Sequence, residues 1–175
     1  MMLGPYSRKL ALLAHIVCSV AWIGAVAAFL TLALVGLRSL DPLAVQSAYL
    51  AMEPVTWFVI VPLSFVSLFT GLLLSLGTQW GLFRHYWVLI KFIINVLSIA
   101  ILLMHTRIIH QVAVAATHMA FTDLYAARVK LMVVSLAALL ALLLATGLSV
   151  YKPRGLTSYG WRERQSGVSN KSTKT

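Results

Sequence analysis

A single cysteine, Cys18, stands in 175 residues, so no internal disulfide can form and no redox compartment can be read from cysteine pairing. Charge is also scarce. Charged residues make up 10% of the chain, and only four are acidic against 14 Lys and Arg. With 61% hydrophobic residues and a mean hydropathy of +0.91, this excludes an ordinary soluble domain and points to a multi-pass membrane protein. The net charge of +10 would suggest nucleic acid in a soluble chain. Here most basic residues flank long apolar runs, as cytoplasmic loops do, and no basic surface with interleaved aromatics is left to bind nucleic acid. No carboxylate lies inside an apolar run, and no pair of the five histidines has a specific metal-site spacing.

What the chain does have is four apolar stretches, about 10–37, 54–76, 86–109 and 129–151. Each can cross a hydrocarbon core of about 30 Å, which takes about 20 residues of helix. Arg8 and Lys9 precede the first stretch, and Ala25-Val26-Ala27 looks like a cleavage site. The apolar run nevertheless continues to Leu37, too long for a cleaved signal, so it reads as a retained first span. Asp41 followed by Pro42 reads as an N-cap and first helical residue, opening a short helix to Met52 at the membrane interface. Glu53-Pro54 then restarts the chain for span two, in which Pro62 should introduce a kink. Gly77 to Gly81 is a turn, and Arg84-His85-Tyr86-Trp87 forms an interfacial belt ahead of span three. From Arg107 to Lys130 the chain is mixed and suits an amphipathic extension plus a loop. Residues 152–175 are polar, basic and Ser/Gly-rich, with too few apolar residues to fold alone, and are expected to be a disordered cytoplasmic tail.

The expected fold of residues 1–151 is therefore all-α: a transmembrane antiparallel four-helix bundle, with a short interfacial helix between spans one and two. Orientation follows from the flanking cations. With both termini cytoplasmic, that side collects Arg8, Lys9, Arg84, Lys152, Arg154, Arg162, Arg164, Lys171 and Lys174, against Arg38, Arg107, Arg128 and Lys130 outside. Nine against four favours cytoplasmic N- and C-termini.

Polar residues recur at alternating steps of four and three, which places them on one helix face. Span three carries Lys91, Asn95, Ser98, Leu102 and His105. Span one offers His15, Ser19, Trp22, Val26 and Phe29; span two offers Ser64, Ser67, Gly71, Ser75 and Thr78; span four offers Ser135, Leu139, Leu142, Thr146 and Ser149. Small residues and hydroxyls at these positions suit close helix packing in lipid. His15 lies six residues past Lys9 and Lys91 five past Tyr86, so both sit about 8 Å inside the same membrane face. Ser75 and the descending Thr146 reach that level too, which defines a polar layer near the cytoplasmic side. His105 is 14 residues beyond Lys91, about 21 Å further out. A lysine in a membrane span must pair, snorkel or face a polar cavity or ligand. With no carboxylate in the spans, snorkelling and an anionic ligand both stand. For His15, a hydrogen bond to a neighbouring helix and a ligand role both stand.

The segments HIVCSVAWIGAV, with His15, Trp22 and Gly24, and TGLLLSLGTQWGLFRHYWVLIKF, with Gly71, Trp80, Trp87 and Lys91, resemble uncharacterised bacterial four-helix membrane proteins. Those are similar in turn to the HemJ-type protoporphyrinogen oxidase and to the membrane domain of copper-resistance protein D. The resemblance spans the first three apolar stretches. It implies a bacterial inner-membrane protein that handles haem b or porphyrin, with His15 and Lys91 as the functional residues; Trp22 and Asn95, on the same helix faces, and Thr146, at the same depth, are the further candidate binding residues. A bis-histidine haem needs a second histidine at the same depth, and only His15 is available there. The resemblance therefore allows His15 as one axial ligand, with Lys91 on a propionate or as a weak sixth ligand.

Two other functions compete. Met104-His105 and His118-Met119 join thioether to imidazole, which suits copper, or the protein handles another small solute. Only span two has an internal proline, which weighs against a transporter built on paired broken helices. The chain is otherwise an accessory or structural subunit whose polar seams meet other membrane subunits or a second copy of itself within the lipid bilayer. No enzyme class follows from the sequence.

Overall fold

The computed structural model describes residues 4–77, 85–118 and 124–151. Helix α1 runs over Pro5–Arg38, α2 over Pro42–Val55, α3 over Val61–Leu76, α4 over Tyr86–Thr117 and α5 over Tyr125–Tyr151. The 24 residues of the basic tail, 152–175, and the expected turn beyond Gly77 lie outside the described residues.

Local chemistry sets the helix ends. Pro5 stands in the first turn of α1, where its missing N–H costs nothing. At the other end the Ser39 N–H donates to the Val35 carbonyl at 2.9 Å, and Asp41 Oδ1 caps α2 by accepting from the Leu43 N–H at 3.0 Å. The expected cap at Asp41 and first helical residue at Pro42 are both observed.

The helix that Asp41 opens does not stop at Met52. It passes through Pro54 and Pro62 to Leu76 as 35 continuous helical residues, so residues 42–52 are the first third of the second long helix and form no separate interfacial element. A π-helical turn over Thr56–Ile60 joins α2 to α3. Each proline removes one backbone donor and pushes against the preceding turn, and a wide turn placed between them absorbs both defects without a break. Thr56, fully buried, satisfies its hydroxyl within the same helix by donating to the Met52 carbonyl at 2.8 Å. In lipid an open break would leave several carbonyls without a donor, so bulging is the cheaper solution.

Among the described residues four helices are long and apolar enough to cross a membrane: α1, α2 with α3, α4 and α5. The α2–α3 helix and α5 each pack against both α1 and α4, which leaves α1 and α4 on the diagonal of an antiparallel bundle. We call the end holding the starts of α1 and α4 the near end, and the opposite end the far end. The core is unevenly placed. Ala33, Tyr49, Met52, Val112, Ala116 and Leu131 are all 2% exposed or less and lie toward the far end. At the near end, among the described residues, nothing in α1 before Trp22, in α4 before Ile99 or in α5 after Ala145 is buried.

Candidate functional site

At the near end His15 reaches from α1 to α3. Its Nδ1 lies 3.0 Å from the Ser67 carbonyl and 3.1 Å from Thr70 Oγ1. A carbonyl only accepts, so Nδ1 carries the proton and Nε2 keeps its lone pair. The Thr70 hydroxyl donates to the Val66 carbonyl at 2.7 Å and so can accept from the imidazole. One turn further along, Ser19 Oγ and Ser67 Oγ are 2.8 Å apart. The imidazole packs against Gly71, where a Cβ would stand 3.0 Å from His15 Cε1. Gly71 thus lets the ring approach the α3 backbone, and a side chain there would push the imidazole aside by a few tenths of an ångström.

Lys91 enters from α4. Its Nζ lies 5.3 Å from the Trp87 ring centroid, one turn back toward the near end, so the side chain leans outward over an aromatic face. Its charge is still close enough to act on His15 by Coulomb interaction. The far-end contacts set the register of the two helices: Tyr49 packs on Gly36 of α1, and the Gln46–Ala116 and Glu53–His110 contacts bring it level with Ala113 of α4, so His15 and Lys91, about 21 and 22 residues back along their helices, stand at one level although the helices are diagonal. Ser75 is buried near this end and donates to the Leu72 carbonyl at 2.9 Å.

The other expected site residues divide. Asn95 is half-buried on the bundle-facing side of α4. Trp22 is 3% exposed, and its Nε1 has no hydrogen-bond partner among the described residues. Thr146 does not join the layer: it is exposed, and its hydroxyl donates to the Leu142 carbonyl of its own helix at 2.9 Å. The inner face of α5 runs through Leu131, Ser135, Leu142 and Ala145 instead. A threonine in a helix can satisfy its hydroxyl on the preceding turn, so its polarity does not force it inward. Thr78 and Trp80 lie outside the described residues.

His105 is remote from this layer. Its Nδ1 donates to the Ile101 carbonyl at 2.8 Å, leaving Nε2 buried without a partner among the described residues. Met104 beside it is 74% exposed and points away, while His118 is exposed and Met119 lies outside the described residues. Among the described residues no group of three His, Cys, Asp or Glu side chains is placed to hold a metal ion.

The far end holds a cluster that residue spacing did not reveal. Arg128 donates from Nε to Tyr49 Oη at 2.8 Å and from Nη2 to the Gly36 carbonyl, with its guanidinium 5.3 Å from the Tyr49 ring centroid. Tyr49 is fully buried, and a side chain at Gly36 would fall into its ring. Gln46 Nε2 donates to the Ala116 carbonyl at 3.0 Å, and His110 Nδ1 meets Glu53 Oε1 at 2.8 Å. A single signal was available beforehand: Val45, Tyr49 and Met52 share one face at helical spacing.

Four long apolar helices with inward polar seams are the features of a multi-pass membrane protein. Compared with family models, curated proteins and solved structures, the chain matches none.

Proposed function

We propose that the protein binds a carboxylate-bearing tetrapyrrole of the haem b or porphyrin class at its near end. The observation that carries this reading is the tautomer of His15. With Nδ1–H held by the Ser67 carbonyl, the imidazole is oriented from behind and its Nε2 lone pair is available, which is how histidine ligands to metals are usually held. Lys91 supplies a cation within electrostatic reach, suited to a propionate. The residues present fit such a group as a donor set of one imidazole, His15, and one anion anchor, Lys91. Asn95 and Trp22, whose Nε1 has no partner among the described residues, lie further along the same two helices. A haem held there would supply one-electron redox chemistry.

The resemblance to HemJ-type and copper-resistance-D-like membrane proteins supports the same two residues. It also supports a bacterial inner-membrane setting, and the nine-to-four count of flanking cations supports a near end and both termini on the cytoplasmic side. The copper reading draws less support, because Met104 and His105 diverge.

The test is the visible spectrum of the protein purified in mild detergent, as isolated and after dithionite. A Soret band with a reduced alpha band, lost in His15→Ala, is the expected result. A protein that is colourless and stays colourless after haem is added overturns the proposal and leaves the accessory-subunit reading.

A further inference from the structure

Two diagonal helices carry the same polar spacing at the same depth. From the near end inward, α1 presents His15, Ser19 and Trp22, and α4 presents Lys91, Asn95 and Ser98. Both sets step by four and then three. Because the contacts of Tyr49 with Gly36, Gln46 with Ala116 and Glu53 with His110 fix the register of α1 against α4, the sets fall at matched levels: His15 with Lys91, Ser19 with Asn95, Trp22 with Ser98. The ladder is seven residues deep, about 10 Å.

Exposure tells which way the α4 rungs face. Ile90, Ile93, Val96, Leu97 and Ile101 are exposed on the outside of α4, whereas Lys91, Asn95 and Ser98 are half-buried on its bundle side. At the bottom rung an independent observation points to an occupant. Trp22 is 3% exposed, yet its indole N–H, which can only donate, has no partner among the described residues. Buried N–H groups are almost always satisfied, by protein or by ordered water. An ordered water at this level would accept from Trp22 and donate to a hydroxyl or amide oxygen, the groups that Ser98 and Asn95 carry on the bundle side of α4. Past this level the seam turns apolar, through Val26 and Phe29 on α1 and Ile99 and Leu102 on α4. The far end beyond is held by the Arg128 cluster.

We propose that these rungs line a dead-end, water-filled inlet that opens at the His15–Lys91 level and stops at Trp22, bringing water and protons to the middle of the membrane from one side only. The inlet does not depend on what His15 binds.

The test compares tryptophans in proteoliposomes by water-edited solid-state NMR of the full chain with 15N-labelled tryptophan. The Ala21–Trp22 pair is the only Ala-Trp step in the sequence, which assigns Trp22 without a variant. Trp57 is the dry reference, since it is 49% exposed near the middle of a membrane helix; Trp87 is the wet one, beside the near end. We expect polarisation from water to reach the Trp22 indole N–H at the rate seen for Trp87, several-fold faster than for Trp57. In Asn95→Leu/Ser98→Ala it should slow to the Trp57 rate while Trp87 is unchanged. A Trp22 as slow as Trp57 in the unaltered protein, or one indifferent to the double substitution, overturns the proposal. A colourless protein with a fast Trp22 signal removes the tetrapyrrole reading and keeps the inlet, and a haem protein with a slow one does the reverse.

Discussion

The two ends of this bundle solve the same problem in opposite ways. Each must accommodate a cation and polar side chains within or close to the membrane. At the far end Arg128 finds its answer inside the protein, bonding to Tyr49 and to the Gly36 carbonyl and tying α5 to both α2 and α1. Tyr49 packs so closely on Gly36 that no other residue fits there. At the near end Lys91 leans on Trp87, His15 keeps one ring nitrogen for something else, and no residue of α1 between positions 4 and 21 is buried. The difference separates stability from function. A cation whose hydrogen bonds are made by its own fold holds helices together, whereas a histidine bonded on one side only has, on our proposal, its second nitrogen for a ligand.

Stability measurements can break or sharpen that contrast. The largest effect is expected for Gly36→Val, which drives a side chain into the buried Tyr49 ring; we expect a loss of about 3 kcal/mol in thermal unfolding in detergent, or no folded protein at all. Arg128→Met keeps the apolar stem but strands Tyr49 Oη and the Gly36 carbonyl, and should cost about 2 kcal/mol by the same measurement. His15→Ala removes one side chain's bonds to Ser67 and Thr70 at an already open end, and about 1 kcal/mol is expected. If His15→Ala is as damaging as Arg128→Met, the near end is a packed clasp too and the contrast fails. Gly71→Ala should hardly move stability, since the imaginary Cβ stands 3.0 Å from His15 Cε1 and a half-buried imidazole can yield. It should nonetheless weaken any Soret band by displacing the ring. Glu53→Gln is expected to have the smallest effect, below about 1 kcal/mol and vanishing in high salt, because the His110–Glu53 pair is 62% and 33% exposed.

The near end was the more legible from residues alone. Lys91 and His15 could be placed at one depth because a helix rises evenly and the apolar runs begin at recognisable interfacial residues. Ser67 and Gly71 followed from their spacing, although Thr70, which also bonds the imidazole, stood one position off that count. Thr146 was misplaced because spacing says which residues share a face, not which face turns inward, and its hydroxyl is satisfied within α5. The Arg128 cluster was hidden because its members are 92 and 79 residues apart along the chain. No short-range pattern can express such a contact.

By itself the sequence determined that the chain forms four helices long and apolar enough to span a membrane, that Asp41 and Pro42 open a helix, and that one stripe of α4 is polar. Those properties depend on local hydropathy, capping and helical period, which neighbouring residues settle among themselves. Tertiary structure alone decided that α2 and α3 are one helix through two prolines, that α1 and α4 stand on the diagonal, and that Arg128 meets Tyr49 while His15 meets Ser67. Each of these depends on which helix lies alongside and how closely it can approach, and that is set by packing between segments far apart in the chain.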